Sequence, residues 1–505
     1  MNFIRFLGFG KGFAFYMKCA KENVGNGDGS IFRNRKVEIN RTVPFNSPFS
    51  KVPKNYIHSG VATTNQIITM EDRGMENKIR RSHVKIALFA MFLFIFFPGS
   101  GYLSGVGYEH TAAYAQVSSA PMPLLEKSHS VDWWFVFKFN ASSFPGCGEN
   151  AQRDCLFGGT VQDYQGHYSQ QFVYASSENL SLQKGSGCVG DTVKDPVGAT
   201  FDQAYNGSYY YVIWNDQFYG DPPIKGCTKS CGSPWGHSKG ILAWNEEGAG
   251  FVMQVSTPSW PASGSRSSRR TDGNTLGCVD DNNVKVSQHF FALKLSKDDL
   301  IRVLQSLQNA SVVTDPTNPQ ILRNGGPSDI KALVKELGKK SSSTTNMRVK
   351  LSSGVELFSK PSGLHVPPWQ LVSATLNGLP LRTATWWANP KINTTTESTK
   401  ITCWKKDLGS PGPVQIATTG EWEGTSFSLK GGPQLDSNHA KFGVSLDPGR
   451  PYAIFGDLNQ QGALSGTNCS SSQNGRGGTF YIISNKTLFD GLTNLIKGET
   501  ADVAP

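Results

Sequence analysis

The sequence predicts a mixed α/β chain, an α/β or α+β sandwich in which central sheets are flanked by helices, organised as two halves that echo each other. Three observations carry this expectation. From residue 131 onward, short β-like runs dominate and are broken by Gly, Pro, Asn and Ser. A few segments with helix-start signals interrupt them. One order of landmarks occurs twice: a strand ending in Lys, a strand carrying Trp, and a strand opened by His-x-Lys. Strands mixed with helices bury their apolar faces in layers, which is the physical basis of the sandwich.

The first half, residues 116–337, supplies VDWWFVFKF at 131–139, then QFVYAS, YYYVIWNDQ, GILAW, GFVMQVS and HFFALKL as strands. Ser296 precedes DDLIRVLQSLQ, an N-cap followed by acidic residues in the first turn, and Ser328 precedes DIKALVKELG, which stops at Gly338. The polar stretch GKKSSSTTN at 338–346 is the internal boundary. The second half, residues 347–505, repeats the landmarks as ELFSK ending in Lys360, TATWW at 383–387 and His439-Ala440-Lys441, with a third helix beginning near Asn485.

Upstream, residues 1–74 show no sustained period and read as a disordered extension or a mis-assigned start, with Met70 and Met75 as later start positions. Residues 75–115 read as a secretory signal. Lys78, Arg80, Arg81 and Lys85 precede the apolar run Ile86–Phe97, and Ala113-Tyr114-Ala115 offers a cleavage site before Gln116. That run of about twelve residues is short for a bilayer span, so an uncleaved anchor is the competing reading.

The division matters for charge. The chain is +10 overall, but residues 1–115 hold 15 of the 49 Lys and Arg and 7 of the 39 Asp and Glu, leaving 34 against 32 in the remainder. Bulk basicity therefore excludes itself as an argument for nucleic-acid binding, and any polyanion affinity must come from a local site. Eight cysteines remain after Cys19 is set aside: Cys147, Cys155, Cys188, Cys227, Cys231, Cys278, Cys403 and Cys469. An even number in an exported chain points to disulfides without fixing their pairing. Cys227 and Cys231 lack a second pair at zinc-finger spacing, so no metal is expected. Sequons at Asn140, Asn206 and Asn485 are compatible with secretion.

The chemistry lies in His237-Ser238-Lys239 and His439-Ala440-Lys441. Side chains two apart on a strand share a face, so each tripeptide sets an imidazole beside an ammonium. Metal-free phosphodiester cleavage needs a nucleophile, an acid for the leaving oxygen, and positive charge on the phosphoryl oxygens. One neutral imidazole can attack phosphorus, the other, protonated, can supply the proton, and Lys239 and Lys441 can clamp the oxygens. A bell-shaped pH profile follows. Only the second unit is followed by Asp447, able to orient a cation or a helix end, and by Asn459, able to donate to a phosphate oxygen, so the two imidazoles are expected to hold different jobs. His129, His167, His289 and His365 are expected to be structural or solvent-facing, and Trp133, Trp134, Trp214, Trp235 and Trp386 to be core residues more often than base-stacking ones.

WGHSKGILAWNEEGAGFVMQVSTPSWP at 235–261 and DSNHAKFGVSLDPGRPYAIFGDLNQ at 436–460 resemble the two His-x-Lys blocks of the deoxyribonuclease II family, and VDWWFVFKF, VIWNDQ, ELFSKPSG and TATWW are similar to its other blocks. The resemblance covers roughly residues 131–460. It implies a monomeric pseudo-dimer of two phospholipase D-like halves and an acid-active endonuclease that needs no metal or cofactor and leaves 3′-phosphate and 5′-hydroxyl ends on DNA. It makes His237 and His439 the catalytic imidazoles, with Lys239, Lys441 and Asn459 binding phosphate. The usual pattern in phospholipase D-like enzymes leans toward His237 as nucleophile. It further implies a secretory route to a secreted, periplasmic or lysosome-like acidic destination, with no stable membrane partner once the signal is removed. Two departures stand out: relative to the general phospholipase D pattern Asp447 falls one residue late, with Asn245 in the corresponding place of the first half, and Phe442 replaces the Trp that commonly follows the second His-x-Lys in deoxyribonuclease II. The competing functions are another phospholipase D-like phosphodiesterase acting on lipid or RNA, and a secreted phosphate-binding protein without turnover.

Overall fold

A computed structural model describes residues 119–145, 171–187, 189–190, 193–227, 229–261 and 285–504, with short strand pairs at 3–5 with 16–18, 153–154 with 160–161, and 263–264 with 279–280. The chain divides into two compact units, Met1–His110 and Thr111–Pro505. Within the first, only the antiparallel pair Phe3–Arg5 and Tyr16–Lys18 is described. The extension expected at 1–74 otherwise lies outside the described residues, as do the signal segment at 75–115, His167, and the cysteines at 147, 155, 188 and 278.

The second unit is mixed α/β and holds two large sheets. The first contains β1 (Trp133–Lys138), β2 (Phe172–Ser176), β3 (Gln183–Lys184), β4 (Tyr210–Asn215), β5 (Lys239–Trp244), β6 (Gly250–Val255), β7 (Gln288–Leu295) and β8 (Leu322–Arg323). Their spatial order is β8-β4-β5-β6-β7-β1-β2-β3. The second contains β9 (Met347–Lys350), β10 (Glu356–Lys360), β11 (Leu381–Ala384), β12 (Val414–Ile416), β13 (Phe442–Ser445), β14 (Tyr452–Gly456) and β15 (Gly478–Ser484). These run in the order β9-β10-β15-β14-β13-β11-β12.

The echo in the sequence has a counterpart in this order. Spatially, β4-β5-β6-β7-β1 matches β11-β13-β14-β15-β10, each neighbouring pair is antiparallel, and the two sets follow the chain in the same sequence. A helix follows the corresponding last strand in both halves: α2 (Lys297–Asn309) after β7, and α5 (Lys486–Leu495) after β15. Among the described strand pairs of the two sheets, only β11–β12 is parallel. Residues 338–346 contain neither helix nor strand.

Alternation along the strands explains the layering. Successive residues point to opposite faces, and on β1 Trp133, Phe135 and Phe137 enter a core between the two sheets while Trp134 and Val136 enter one on the outer face of the first sheet. On β15, Tyr481 and Ile483 face the central core, whereas Phe480 and Ile482 face a third core outside the second sheet. With both faces covered, each strand carries an unbroken apolar run, Trp133–Phe137 on β1 and Phe480–Ile483 on β15, in place of apolar–polar alternation. Rings close the inter-sheet contact: Phe135 stacks on Phe455 at 4.6 Å between centroids and Phe291 on Phe455 at 4.7 Å, pairs worth about 0.5–1.5 kcal/mol each beyond burial. Phe442, the residue after the second His-x-Lys, packs 5.5 Å from Phe137 and 5.7 Å from Phe135 in this core.

Ser296 caps α2 by accepting from the Asp299 N–H, with Asp298 and Asp299 in the first turn, where the helix dipole favours negative charge. Asn485 caps α5 by accepting from the Leu488 N–H. The helix expected after Ser328 is α3 (Ser328–Glu336), which takes Ser328 as its first residue and has no side-chain cap. Two further helices, α1 (Pro196–Tyr205) and α4 (Pro368–Thr375), open on proline and cover the outer faces of the first and second sheets. Two disulfides are described, Cys227–Cys231 and Cys403–Cys469, so the pair weighed as a zinc half-site is cross-linked. Asn140 is fully buried, which places its sequon beyond the reach of a glycan.

Candidate active site

Each His-x-Lys segment sits where a strand of one half meets the loop that leads into a strand of the other. The His237 N–H donates to Gly477 O at 2.7 Å, just before β15, and the His439 N–H donates to Ser287 O at 2.8 Å, just before β7. The anchoring is reciprocal and brings the tripeptides together: charge on His237, Lys239 and Lys441 bears directly on His439. All four side chains are buried.

The imidazoles are held differently. The β4–β5 ladder pairs Asn215 with Lys239, and the β11–β13 ladder pairs Ala384 with Phe442. Extending each register places Asp216 and Trp386 at corresponding positions. Asp216 accepts from His237 Nδ1 at 3.0 Å, Lys239 Nζ at 2.7 Å and Arg476 Nη2 at 2.8 Å. Trp386 instead lies flat on His439, with centroids 4.1 Å apart and planes 11° apart. His237 Nε2 and both His439 nitrogens have no partner among the described residues.

Arg476 ties the halves together. Besides Asp216, it donates through Nη2 to the carbonyls of Cys231 and Gly236 at 2.6 and 2.8 Å and through Nε to that of Trp235 at 3.1 Å. The Asp216 carbonyl in turn accepts from the Cys231 N–H, so the Cys227–Cys231 loop braces both. Asp457, after β14, accepts from the Thr479 N–H and hydroxyl at 2.8 and 2.7 Å and from Gln254 Nε2 at 3.1 Å. Ser238, the middle residue of the first tripeptide, also bonds Asp457 and accepts from Trp214 Nε1.

The electrostatics follow from burial and from these neighbours. Burial alone would raise the Asp216 carboxyl, but Lys239, His237 and Arg476 hold it well below the usual carboxylate range. Burial and Lys239 push His237 far below the usual imidazole value, against the pull of Asp216. His439 is lowered likewise by burial, then by Lys441, Lys239 and His237. Lys441 is pulled well down by burial and by Lys239. Burial pushes Asp457 up to about 6. Three cations crowd around two carboxylates, an arrangement suited to an anion with a tetrahedral centre.

Among the other residues singled out in the sequence, Asn459, two residues after Asp457, is buried, with Nδ2 donating to Gln461 Oε1 at 2.9 Å and Oδ1 without a partner among the described residues. Asp447 is half-exposed in the β13–β14 turn, bonded to Gly449 N–H and Arg450, so the cation it orients is a surface one. Asn245 does the corresponding work in the β5–β6 turn, accepting from the Glu247 and Ala249 N–H groups. His289 is structural in a direct sense: its Nδ1 accepts the Lys441 N–H at 3.0 Å. His129 and His365 are exposed. Trp133, Trp134 and Trp214 are core, and Trp235 is half-buried under Lys340.

Asp216 and Arg476 have no place among the sequence-based expectations, and Trp386, expected as a core residue, is instead half-buried against His439. The first lay within a quoted strand motif and the last within another, so their ladder positions relative to His-x-Lys were the available signal. Arg476, in a Gly-rich turn, left none. Among the described residues, no group of three or more His, Cys, Asp or Glu side chains could hold a metal ion, and no helix is long and apolar enough to cross a membrane.

Comparison with known proteins agrees with the block pattern. Residues 124–500 match the family described as Deoxyribonuclease II. Deoxyribonuclease-2-alpha of Rattus norvegicus is 28% identical over 163 residues, 30% of this chain and 40% of the relative. Deoxyribonuclease-2-alpha of Sus scrofa is 28% identical over 162 residues, 30% of this chain and 38% of the relative. The chain thus spans about two fifths of the length of these curated relatives. The family match runs through both His-x-Lys segments and through Asp216, Trp386 and Arg476; the chain belongs to the deoxyribonuclease II family.

Proposed function

We propose that the protein is an acid endodeoxyribonuclease that cleaves DNA without a metal through a phosphohistidine, its two halves forming a monomeric phospholipase D-like pseudo-dimer. The observation that carries the reading is the pair of buried imidazoles, reciprocally anchored across the halves, with unpartnered Nε2 atoms beside Lys239, Lys441 and Arg476. The matching five-strand order supports the pseudo-dimer, and the names of the matched relatives support DNA as substrate.

The difference in setting supports a division of roles. Asp216 accepts the Nδ1–H of His237 and leaves the Nε2 lone pair free, and burial keeps that imidazole neutral, as a nucleophile requires. His237 Nε2 attacks phosphorus, the P–O5′ bond breaks, and protonated His439 gives its proton to the departing 5′ oxygen. Water then attacks the phosphohistidine, His439 takes its proton, and His237 is released with a 3′-phosphate as product. The entering phosphodiester offsets the surrounding cations and thereby raises the proton affinity of His439 at the moment an acid is needed. Lys239 and Lys441 meet the phosphoryl oxygens, with Asn459 beside them. Protonation of Asp457 below about 6 makes the site more positive and favours substrate in acid. The upstream signal routes the enzyme to a secreted or otherwise acidic destination.

The test is plasmid cleavage near pH 5 in excess EDTA, beside His237→Ala and His439→Ala. Nicking by the parent and loss of at least about 10³-fold in each variant is expected. An intact plasmid with the parent removes the activity, and cleavage surviving both substitutions removes the mechanism.

A further inference from the structure

Two further lysines make no hydrogen bond to the reacting groups, although the charge of Lys138 also bears on His439. Lys138 ends β1 and Lys360 ends β10, corresponding strands of the two halves, and both side chains are completely buried. Neither has a carboxylate partner among the described residues; both donate to main-chain carbonyls instead. Lys138 Nζ donates to Val286 O at 2.7 Å and Phe139 O at 3.0 Å. Lys360 Nζ donates to Asn474 O at 2.7 Å, Arg476 O at 2.8 Å and Pro361 O at 3.4 Å. The next residue along each loop is the one that grips a histidine. Ser287, after Val286, accepts the His439 N–H, and Gly477, after Arg476, accepts the His237 N–H.

We propose that Lys138 and Lys360 are positioning residues that act crosswise: Lys138 sets His439 and Lys360 sets His237, each by holding the loop whose next carbonyl anchors the imidazole-bearing segment. The proposal rests on the nuclease reading for its catalytic consequence, though not for its geometry.

Filling space does not account for these residues. Lysine is almost never fully buried without a partner, and an aliphatic side chain of the same length would pack without desolvating an ammonium. Burial brings both groups down to about 7, so below neutrality each carries three N–H donors. The three carbonyls around Lys360 can all be satisfied only by that form. The recurrence at corresponding strand ends, paired with Gln288 on β7 and Gly478 on β15, is a second and independent instance of the same device.

The experiment compares Lys138→Met and Lys360→Met, which keep the stem, with Lys138→Gln and Lys360→Gln, which keep an N–H donor. Histidine side-chain NMR signals, assigned with His237→Ala and His439→Ala, are read beside steady-state cleavage of an oligonucleotide duplex in EDTA. We expect Lys138→Met to displace the His439 signals and leave those of His237, and Lys360→Met to do the reverse. We expect kcat to fall about tenfold to a hundredfold with KM within about threefold, as for a misplaced reacting group, and each Gln variant to recover part of the loss. Displacement of the histidine in the lysine's own half, of both equally, or of neither overturns the proposal. So does Gln performing no better than Met, or collapse of the fold in both variants at a position, which would make that lysine a folding requirement. A parent inert toward DNA would sink the nuclease reading while the crossed NMR pattern still decided this one.

Discussion

Replacing Asp216 by Asn changes one atom at the point where three cationic or protonated groups converge. Asp216 is buried and accepts from His237, Lys239 and Arg476 at 3.0, 2.7 and 2.8 Å. The amide keeps the shape and loses the charge, leaving Lys239 and Arg476 buried without their counter-ion, a loss of about 3–5 kcal/mol of stability. It can also turn its NH2 toward His237 Nδ1, which selects the tautomer whose Nε2 carries the proton and cannot attack. A wrong tautomer costs about 10³–10⁴ in kcat, or about 4–5.5 kcal/mol at about 1.36 kcal/mol per decade. Because the folded carboxyl lies well below its ordinary 3.8, its contribution is fully present above that value and is lost only as pH falls through the lower folded one. The stability gap between parent and variant should therefore stay constant from about pH 4 to 7. Urea unfolding at several pH values measures the gap, and single-turnover cleavage of a fluorescent duplex measures the chemistry. A variant that cleaves within about threefold of the parent would refute the assignment of His237 as the carboxylate-oriented nucleophile.

Trp386→Ala should lower kcat by up to about tenfold through loss of a stack worth about 0.5–1.5 kcal/mol on His439, with Trp386→Phe recovering most of it; equal rates for all three proteins in the cleavage assay would remove the ring from the site's chemistry. Asp457 is raised from 3.8 to about 6, so the folded state holds its proton more firmly, and the stability this provides is complete below about 3.8 and lost as pH rises through about 6. Asp457→Asn should abolish about 3 kcal/mol of that pH dependence, seen as a flatter plot of unfolding free energy against pH; parallel plots contradict it. Opening Cys403–Cys469, which closes a separation of 66 residues, by Cys403→Ser with Cys469→Ser should cost about 4 kcal/mol in denaturant unfolding while sparing the site. A loss below about 1 kcal/mol would mean that this loop is held by its packing alone.

Features that depend on short range were legible in the chain alone. A period of two placed His237 with Lys239 and His439 with Lys441 on common faces, Ser296 and Asn485 announced their helices through cap chemistry local to a few residues, and repeated landmarks announced two halves. Where local signals were weak, reading failed: α1 and α4 open on proline in apolar surroundings, and Ser328 entered its helix rather than capping it. The remaining contacts join residues far apart in the chain and came only from the packing of the sheets. Asp216 meets His237 across 21 residues and Arg476 across 260. Lys360 reaches the Arg476 carbonyl across 116, and His289 receives the Lys441 N–H across 152. A strand pattern says which way a side chain points, but not which strand of the other half will face it. For that reason two tripeptides of the same His-x-Lys pattern could be read from the chain, while the carboxylate beneath one imidazole and the indole against the other emerged only when the sheets came together.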